Sequence, residues 1–438
     1  MSAALGSFEA QFQERPADAL GEWRDAAMRR FLELGLPSPR DESWRYTSLR
    51  ALQGQRFAAA DAIAGGAGAP ADAASDTASA WLTDGGRIPA IRLVNGAVQA
   101  LPTALPAGVR VHGLQSLAAA DPARVARYLG APRDTDLRRW ELLNTALLSD
   151  GLVVEIGGQG SLPLCITHRT TAHGTANAAH PRVIISVAAG AEATLIEHYL
   201  DGGADASLCN SCTQVELGAG ARLEHYRVFA GGSAATQFDS LDLVQHTGST
   251  CRQFTVVLGG QLLRTALDAR LEGRGATLDV QTLLVGHGER HVDSAAVVTH
   301  AAPATISRQT ARSIASGTSR VIMNSKVIVA AGATHADSRQ SLRGMLLAPG
   351  AEVDTRPQLE IHTDEVRCAH GATTGRLDDA MFFYLLSRGI DRATAQSLLV
   401  FAFLGDVLAG MSQAPARAAI EAALVSQLPD ADRLKEFR

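Results

Sequence analysis

Two similar segments decide the fold: Gly190-Ala-Glu-Ala-Thr-Leu-Ile-Glu-His198-Tyr and Gly218-Ala-Gly-Ala-Arg-Leu-Glu-His225-Tyr. Each is a glycine turn followed by a strand-like run, and similar starts recur at Gly248, Gly273, Gly332 and Gly350. The steps from 190 to 218, 218 to 248 and 248 to 273 are 28, 30 and 25 residues. A near-regular repeat of this size is typical of stacked units that bury their faces against one another. Because the units contain strands and turns but no helical periodicity, the pattern predicts a β-solenoid. Hexapeptide acyltransferases also stack strands, but their much shorter repeat is absent.

Helical periodicity is confined to the two ends of the chain. Near the N-terminus, apolar residues follow one another at spacings of three or four, and Gly35 ends the helix: Leu20, Trp23, Ala27, Phe31 and Leu34. A second helical patch covers about 121–148, and the Ala/Gly/Asp-rich stretch 58–80 reads as a linker. After Arg376 the spacing and caps predict three helices, at about 378–387, 391–408 and 415–428. We therefore divide the chain into an N-terminal helical region with a linker (1–150), a β-helix core (151–375) and a C-terminal helical domain (376–438).

Composition narrows the function classes. The 438 residues carry a formal net charge of −5, which gives no electrostatic reason to bind nucleic acid or an anionic membrane. Five cysteines form no dense framework, so we expect a reducing compartment. The N-terminus lacks the basic start and apolar stretch of a signal peptide, and the longest apolar run near the C-terminus, 398–404, is far shorter than the roughly 20 residues of a membrane span. These features predict a soluble, cytoplasmic protein.

The strongest chemical signal is Cys368-Ala-His370, which lies at the end of a strand-like run. Side chains at i and i+2 of a strand point to the same face, so Cys368 and His370 could approach one iron or sulfur atom. One thiol and one imidazole supply only half of a four-ligand shell. From the residues alone, a buried cysteine beside a hydrogen-bonded histidine explains the pair at least as well. If the site binds metal, the missing ligands come from another chain.

Other candidate motifs are weaker. Cys209-Asn-Ser-Cys212 has the spacing of a zinc or redox motif but lacks a second pair, so we interpret both as free cysteines of the solenoid. His287, Glu289 and His291 share one face if the segment is a strand, yet glycines on both sides of His287 favour a turn with solvated side chains. No Gly-x-x-x-x-Gly-Lys-Ser/Thr occurs, which argues against ATP binding by this chain.

One C-terminal helix is apolar on most of its circumference. Its large side chains include Leu399, Phe401, Phe403 and Leu404. A helix of this kind has to be covered on more than one side. Burial inside the domain and a groove that binds a partner explain the pattern equally well.

Several stretches of the chain resemble the SufB/SufD family of iron–sulfur cluster assembly scaffolds. They are Pro357-Gln-Leu-Glu-Ile, Cys368-Ala-His-Gly-Ala-Thr and Phe382-Phe-Tyr-Leu-Leu-Ser-Arg-Gly-Ile, with weaker matches at Asp41-Glu-Ser-Trp-Arg-Tyr-Thr and Asn144-Thr-Ala-Leu-Leu-Ser-Asp-Gly. The resemblance implies a mainly β fold with a central right-handed parallel β-helix, flanked by N-terminal and C-terminal helical domains. It also implies a non-catalytic scaffold subunit of the Suf complex.

The family's known assembly supplies the second chain that the half shell requires. SufD-type subunits pair with the paralogue SufB through their solenoids, and the C-terminal helices dock the ATPase SufC, so Leu399, Phe401, Phe403 and Leu404 become partner-binding candidates. The histidine matching His370 faces a SufB cysteine and contributes to iron acquisition and nascent cluster formation, with Cys368 beside it. The resemblance thus implies a transient iron ion or iron–sulfur cluster at the interface, with none assigned to the isolated chain. A homodimer of the isolated chain is a further option.

Two alternatives to a SufD-type scaffold were weighed. A SufB-type paralogue would carry its essential thiol on the strand matching about 341–347, where this chain has no cysteine, and would read Glu-His-Glu-Ala-Thr where this chain reads Ala369-His-Gly-Ala-Thr. A β-solenoid carbohydrate-active enzyme needs clustered carboxylates in an aromatic-lined groove. Only 5% of the residues are aromatic and no carboxylate ladder is visible, so we favour the scaffold.

Overall fold

The structure is a computed structural model that describes residues 2–15, 17–60, 87–129, 136–158, 163–171, 176–201 and 206–427. Most of the predicted linker, and the predicted end of the last helix at 428, lie outside these residues. The α-helices are α1 Ala3–Gln13, α2 Gly21–Leu34, α3 Arg50–Gln53, α4 Leu114–Ala120, α5 Pro122–Leu129, α6 Arg139–Leu147, α7 Asp379–Ser387, α8 Arg392–Leu408 and α9 Ala414–Ser426.

The strands fall into an N-terminal set and a long regular series. The N-terminal set comprises β1 Ala58–Ala59, β2 Ala90–Val94, β3 Ala97–Ala100, β4 Val109–Gly113, β5 Leu152–Ile156, β6 Leu164–Thr170, β7 Asn177–Ala179 and β8 Arg182–Val187. The regular series comprises β9 Glu192–Asp201, β10 Ser207–Leu217, β11 Arg222–Ala230, β12 Ala235–Gln245, β13 Thr250–Val257, β14 Leu262–Leu271, β15 Thr277–Gly286, β16 His291–His300, β17 Ile306–Ala315, β18 Arg320–Val329, β19 Asp337–Leu346, β20 Glu352–Ile361 and β21 Arg367–Arg376.

The regular strands alternate between two parallel sheets, and this alternation makes the solenoid. Sheet A runs in the order β20-β18-β16-β14-β12-β10-β8-β5-β4, and sheet B runs β21-β19-β17-β15-β13-β11-β9-β6-β2-β3. Paired residues of successive turns, such as Glu192 with Arg222, Arg222 with Thr250 and Thr250 with Thr277, lie 30, 28 and 27 positions apart. The β-solenoid that the glycine repeat predicts is therefore confirmed, while its right-handed winding stays a prediction.

Glycine is required at the turns for two separate reasons. Gly220 and Gly275 have φ angles of 68° and 72°, in the left-handed region that suits glycine. At Gly273, a Cβ atom would overlap the backbone of His246 and Thr247 in the turn below. The Gly-x-Gly-Ala signature thus marks places where the chain bends sharply and touches the preceding turn.

The inner and outer faces of the two sheets are covered by different parts of the protein. The faces that point at each other form an aliphatic interior, which includes Leu223 and Leu278 of sheet B and Leu243 and Val298 of sheet A. The N-terminal helices cover the outer face of sheet A, where Trp140 stacks on Phe238 with ring centroids 3.8 Å apart. The helices α8 and α9 cover part of the outer face of sheet B. Helices from the two ends of the chain therefore pack on the outer faces of the two sheets.

A buried ionic cluster interrupts the aliphatic interior. Arg227 donates two hydrogen bonds to Asp239, of 2.6 and 2.8 Å, and one of 3.0 Å to Glu197. Burial opposes ionisation of Glu197, but Arg227 and the imidazoles of His168 and His225 hold the pKa of this carboxyl well below its usual range. Because the cluster joins β9, β11 and β12, it ties the two sheets together in one register.

The N-terminal region differs from the helical prediction, because it also contributes strands to both sheets. Strand β2 pairs with β6 in sheet B, and β4 pairs with β5 in sheet A. Strands β2 and β3 form a hairpin around Asn95 and Gly96, whose φ angles are 52° and 88°. Asn-Gly between alternating apolar residues is a strong hairpin signal, and it would have found this element from the sequence.

The close approach at Gly273 can be tested by adding one methyl group. Gly273→Ala should lower the free energy of unfolding by roughly 1–3 kcal/mol, because the turn has to move away from Thr247. The matched control is Gly371→Ala, where a Cβ atom has nothing within 4 Å and the change should stay within about 0.5 kcal/mol. Equal denaturant midpoints for the two variants would contradict the close packing of successive turns.

Candidate functional site

The solenoid ends openly at its last turn. Within the residues that the structure describes, β20 pairs only with β18 and β21 only with β19, so each strand has one unpaired edge. Almost every residue of β21 is exposed, and β20 is half-buried along its length. Inner strands such as β13 and β15 are mostly buried. This exposed last turn, β20 with β21, is called the open end below.

The free edge of β21 offers a complete row of backbone groups. The Arg367 N–H donates to the Ala336 carbonyl across the β19 pair, at 2.8 Å. Because N–H and C=O groups alternate in direction along a strand, the intervening residues point their N–H and C=O groups away from β19. These residues are Cys368, His370, Ala372 and Thr374. None is a proline, so every donor of this edge is available.

The free edge of β20 is weaker. The backbone N–H groups of Glu352 and His362 donate to carbonyls on the β18 side, each at 2.9 Å. The odd-numbered residues between them therefore point their N–H groups outward. Pro357 occupies one of these outward positions and supplies no donor. Proline at this place is a recognised protection of an edge strand. Of the two edges, β21 is thus the better template for an added strand.

Cys368 and His370 lie on β21 with their side chains toward the interior face, as the i, i+2 spacing predicts. Their register partners on β19 are Ser338 and Gln340, both buried. Cys368 is half-buried and packs against the aliphatic interior, while His370 is exposed. Burial raises the pKa of the Cys368 thiol, and a hydrogen bond from the Ser338 backbone N–H partly offsets that effect.

A directed chain of hydrogen bonds lies beneath Cys368. The Thr305 hydroxyl donates to the Ala302 carbonyl at 3.0 Å, so the 2.8 Å contact between Thr305 Oγ1 and His300 Nδ1 requires an N–H on Nδ1. Burial lowers the pKa of His300 to about 4, so the imidazole is neutral near pH 7 and its Nε2 accepts from Ser307 at 2.8 Å.

The chain of hydrogen bonds continues in the same direction toward the open end. The one proton of the Ser307 hydroxyl goes to His300, so Ser338 donates in the 2.8 Å contact between Ser338 Oγ and Ser307 Oγ. The row that carries Cys368 is apolar in the middle of the solenoid, at Leu223 and Leu278, and polar at Ser307 and Ser338. The interior therefore becomes hydrogen-bonded beneath the candidate ligands.

Cys368 and His370 do not form part of a larger ligand cluster among the residues described. Among them, no group of three or more His, Cys, Asp and Glu side chains has a geometry that could hold a metal ion. Cys368 and His370 therefore supply a thiol and an imidazole on the interior face of the last strand, whose free edge is open to a second chain.

The structure places the predicted partner-binding residues of α8 at different depths. Leu404 is fully buried against the outer face of sheet B and is unavailable to a partner. Phe401 and Phe403 are half-buried and pack against the same apolar cluster, and Leu399 is also half-buried. The apolar circumference of α8 is thus largely explained by the solenoid on one side and by α9 beside it.

Three highly exposed apolar side chains lie instead together on α7, immediately after β21. Met381, Phe383 and Tyr384 are 53%, 71% and 52% exposed, and no described residue of this helix is buried. The Asp378 carboxylate caps the helix by accepting from the N–H groups of Ala380 and Met381. The sequence run Met381-Phe-Phe-Tyr-Leu-Leu386 carried the signal, but only the structure shows that Met381, Phe383 and Tyr384 stay exposed while the other three side chains are half-buried.

The weaker candidate sites have structural explanations. Cys209 and Cys212 are buried on β10 and, three residues apart on a strand, point to opposite faces. Burial raises the pKa of the Cys212 thiol far above its usual range. His287 contacts the Ser316 hydroxyl from a turn at 3.0 Å, and His291 contacts the Thr47 hydroxyl at 2.9 Å under the N-terminal segment.

Comparison with known proteins agrees with this architecture. Residues 168–403 match the family model described as the SufBD core domain of SUF system FeS cluster assembly. The chain belongs to the SufBD family. It is 28% identical to the iron–sulfur cluster assembly protein SufD of Escherichia coli, over 97% of this chain and 96% of that protein. It is 27% identical to a SufBD family protein of Synechocystis, over 86% and 84% of the two chains. Over a shorter stretch, 32% of each chain, it is 30% identical to SufD of Bacillus subtilis.

Family membership confirms the resemblance that the sequence motifs carry, and it places the chain in iron–sulfur cluster assembly. The matched region contains the solenoid from β6 onward, with the open end, Cys368 and His370. Within the part of the chain that is described, every helix is too short or too polar to span a bilayer.

Proposed function

We propose that the chain is a non-catalytic SufD-type scaffold subunit that completes an iron–sulfur assembly site by pairing its open end with the paralogue SufB. The observation that carries this proposal is the unpaired edge of β21, which bears Cys368 and His370. The five free thiols fit a reducing cytoplasm, as the sequence predicts. The C-terminal helices would dock the ATPase SufC.

The pairing argument rests on backbone chemistry. An exposed strand edge with a full row of donors and acceptors is a template for another strand, and monomeric proteins normally protect such edges. The residues of β21 are small between its terminal arginines, apart from His370, so a partner strand can approach without steric conflict. A second copy of this chain could use the same edge, which keeps a homodimer of the isolated chain as an option.

The argument that the site binds iron or an iron–sulfur cluster rests on two candidate ligands of β21, Cys368 and His370. A neutral imidazole and a thiolate are ordinary ligands of iron and of iron–sulfur clusters. Because no group of three or more candidate ligands forms within the described chain, a partner that pairs with β21 would bring its own ligands opposite His370. The nascent cluster or the incoming iron would then bind at the interface, with His370 contributing to iron acquisition.

The edge pairing can be tested at Ala372, whose N–H points to the free edge. Ala372→Pro should weaken association with SufB at least tenfold, because one edge donor is lost while the bonds to β19, which come from the odd-numbered residues, remain. The matched control is Ala372→Val, which keeps the N–H and should bind like the wild type. Affinity is measured by calorimetry or biolayer interferometry, and unchanged binding of Ala372→Pro would contradict the edge model.

The role of His370 can be tested in the assembled complex. His370→Ala should leave folding and subunit association nearly unchanged, since the side chain is exposed, while iron and acid-labile sulfide per complex fall sharply. Cys368→Ala should have a milder effect, because this cysteine packs against the interior and its raised thiol pKa disfavours the thiolate ligand. Full cluster content in anaerobically purified His370→Ala would reduce the histidine to a surface residue.

The docking surface can be located by comparing two phenylalanines. Phe383→Asp should abolish pull-down of SufC and leave the melting temperature unchanged, because an exposed aromatic anchor at an interface typically contributes about 2 kcal/mol or more. Phe403→Asp should instead destabilise the fold, because this side chain packs against the core cluster beneath α8. SufC binding by folded Phe383→Asp would move the docking surface away from α7.

A further inference from the structure

Gln340 lies directly beneath His370 in the solenoid. The two residues are register partners on β19 and β21, and both side chains point to the interior face. Neighbouring strands lie about 4.8 Å apart, so a side chain of glutamine length can reach the imidazole above it. The next residue of the same row is Gln309 on β17, so the open end is underlain by a column of two amides.

The amide of Gln340 has a fixed orientation. Its Nε2 donates to the Ser325 carbonyl at 3.0 Å and to the Ser325 hydroxyl at 2.7 Å. The Ser325 hydroxyl in turn donates to Gln309 Oε1 at 2.5 Å. Because Ser325 lies on β18 of sheet A, the amide nitrogen is anchored across the interior, and a flipped amide would place its oxygen against the Ser325 carbonyl oxygen.

Anchoring the nitrogen leaves the carbonyl oxygen unsatisfied. Gln340 is only 3% exposed, and none of the residues described donates a hydrogen bond to its Oε1. A buried acceptor without a donor destabilises the fold, typically by more than a made hydrogen bond stabilises it. Such an atom in a native interior calls for a donor, and the register places His370 on the strand directly above Gln340, although the structure has no hydrogen bond between the two side chains.

We propose that Gln340 is a positioning residue for His370: its anchored carbonyl oxygen accepts the imidazole N–H, fixes one tautomer and leaves the other ring nitrogen free to ligate the iron cargo. The step to iron rests on the function proposed above, whereas the hydrogen bond belongs to the isolated chain. Metal-ligating histidines commonly donate their second ring nitrogen to such an acceptor, which orients the ring and raises its basicity. Ser325 and Gln309 hold the amide in place and complete the support.

The hydrogen bond can be observed directly in the isolated full-length chain. The ring ¹⁵N signals of His370 are measured by NMR at pH 8 in the wild type and in Gln340→Met. The methionine keeps the length and volume of the side chain but removes the acceptor. In the wild type, the ratio of the two tautomers should differ from that of a free histidine side chain by roughly three- to tenfold, which matches one net hydrogen bond. In Gln340→Met the ratio should return to that of the free side chain.

Two controls separate positioning from a general effect on the fold. Gln253→Met removes an equally buried glutamine from the same interior row, three turns away, and should leave the His370 tautomer ratio unchanged. His362, which contacts Glu360 at 2.9 Å just after β20 in the same last turn, serves as an internal reference. A His370 tautomer ratio that is the same in the wild type and Gln340→Met would overturn the proposal.

A second readout connects the bond to the cargo. In the complex with SufB and SufC, Gln340→Met should lower the iron affinity by roughly 10- to 100-fold, the usual effect of losing a ligand's supporting partner. If the tautomer shifts but the complex never forms or never binds iron, the proposed function fails and the hydrogen bond stands. If the complex loads iron normally and the tautomer does not respond to Gln340, the positioning role fails and the function stands.

Discussion

The structure depends on one constraint, which is that every buried backbone N–H and C=O group needs a partner. In the solenoid each turn satisfies this requirement by bonding to the turn before and the turn after, in parallel register from β9 to β21. The glycine turns keep that spacing, since a side chain at Gly273 would push two turns apart. The chain of bonds stops at β21, where the described residues supply no next strand. The position of the candidate site follows directly, because Cys368 and His370 stand on the strand whose outer edge is unsatisfied.

The interior changes character toward this open end. In the middle turns the row of Cys368 passes through apolar residues such as Leu278, which stabilise the stack by burial, whereas the row of His370 holds both apolar Val280 and polar Gln253. In the last turns the same rows become Ser307 and Ser338, and Gln309 and Gln340. A polar interior stabilises less than an aliphatic one, so its value lies in orienting the groups above it. The ionic cluster around Arg227 is a separate feature deep in the stack, where Arg227 is paired with Glu197 and Asp239.

Much of this could be predicted from the sequence, and the failures have physical causes. The glycine repeat identified the solenoid, and the helix stops at Gly35 and Gly389 are left-handed in the structure. The common face of Cys368 and His370 followed from strand geometry alone. Long-range packing could not be predicted: the burial of Leu404 and the exposure of Phe383 depend on where sheet B ends and how α8 crosses it. The helices α7 and α8 contain similar apolar residues. Only the surface that covers α8 distinguishes its core residues from the candidate interface on α7.

The two features that matter most at the open end are also invisible to a residue pattern. Which N–H groups of β21 point outward depends on its register with β19, and the unsatisfied oxygen of Gln340 depends on the bond that its nitrogen makes across the interior. The sequence identified Cys368 and His370 as half of a metal-ligand shell, from which we inferred that a second chain supplies the other ligands. The structure adds the edge through which that chain would bind.

Amide hydrogen exchange along β21 is the most direct test of that edge. In the isolated chain, the amides of Ala369, Gly371 and Thr373 should be protected by β19, while those of Cys368, His370, Ala372 and Thr374 exchange freely. On adding SufB, the second set should become protected and the first should change little, so that the alternation along the strand disappears. A complex that forms while the second set continues to exchange freely would contradict pairing through β21.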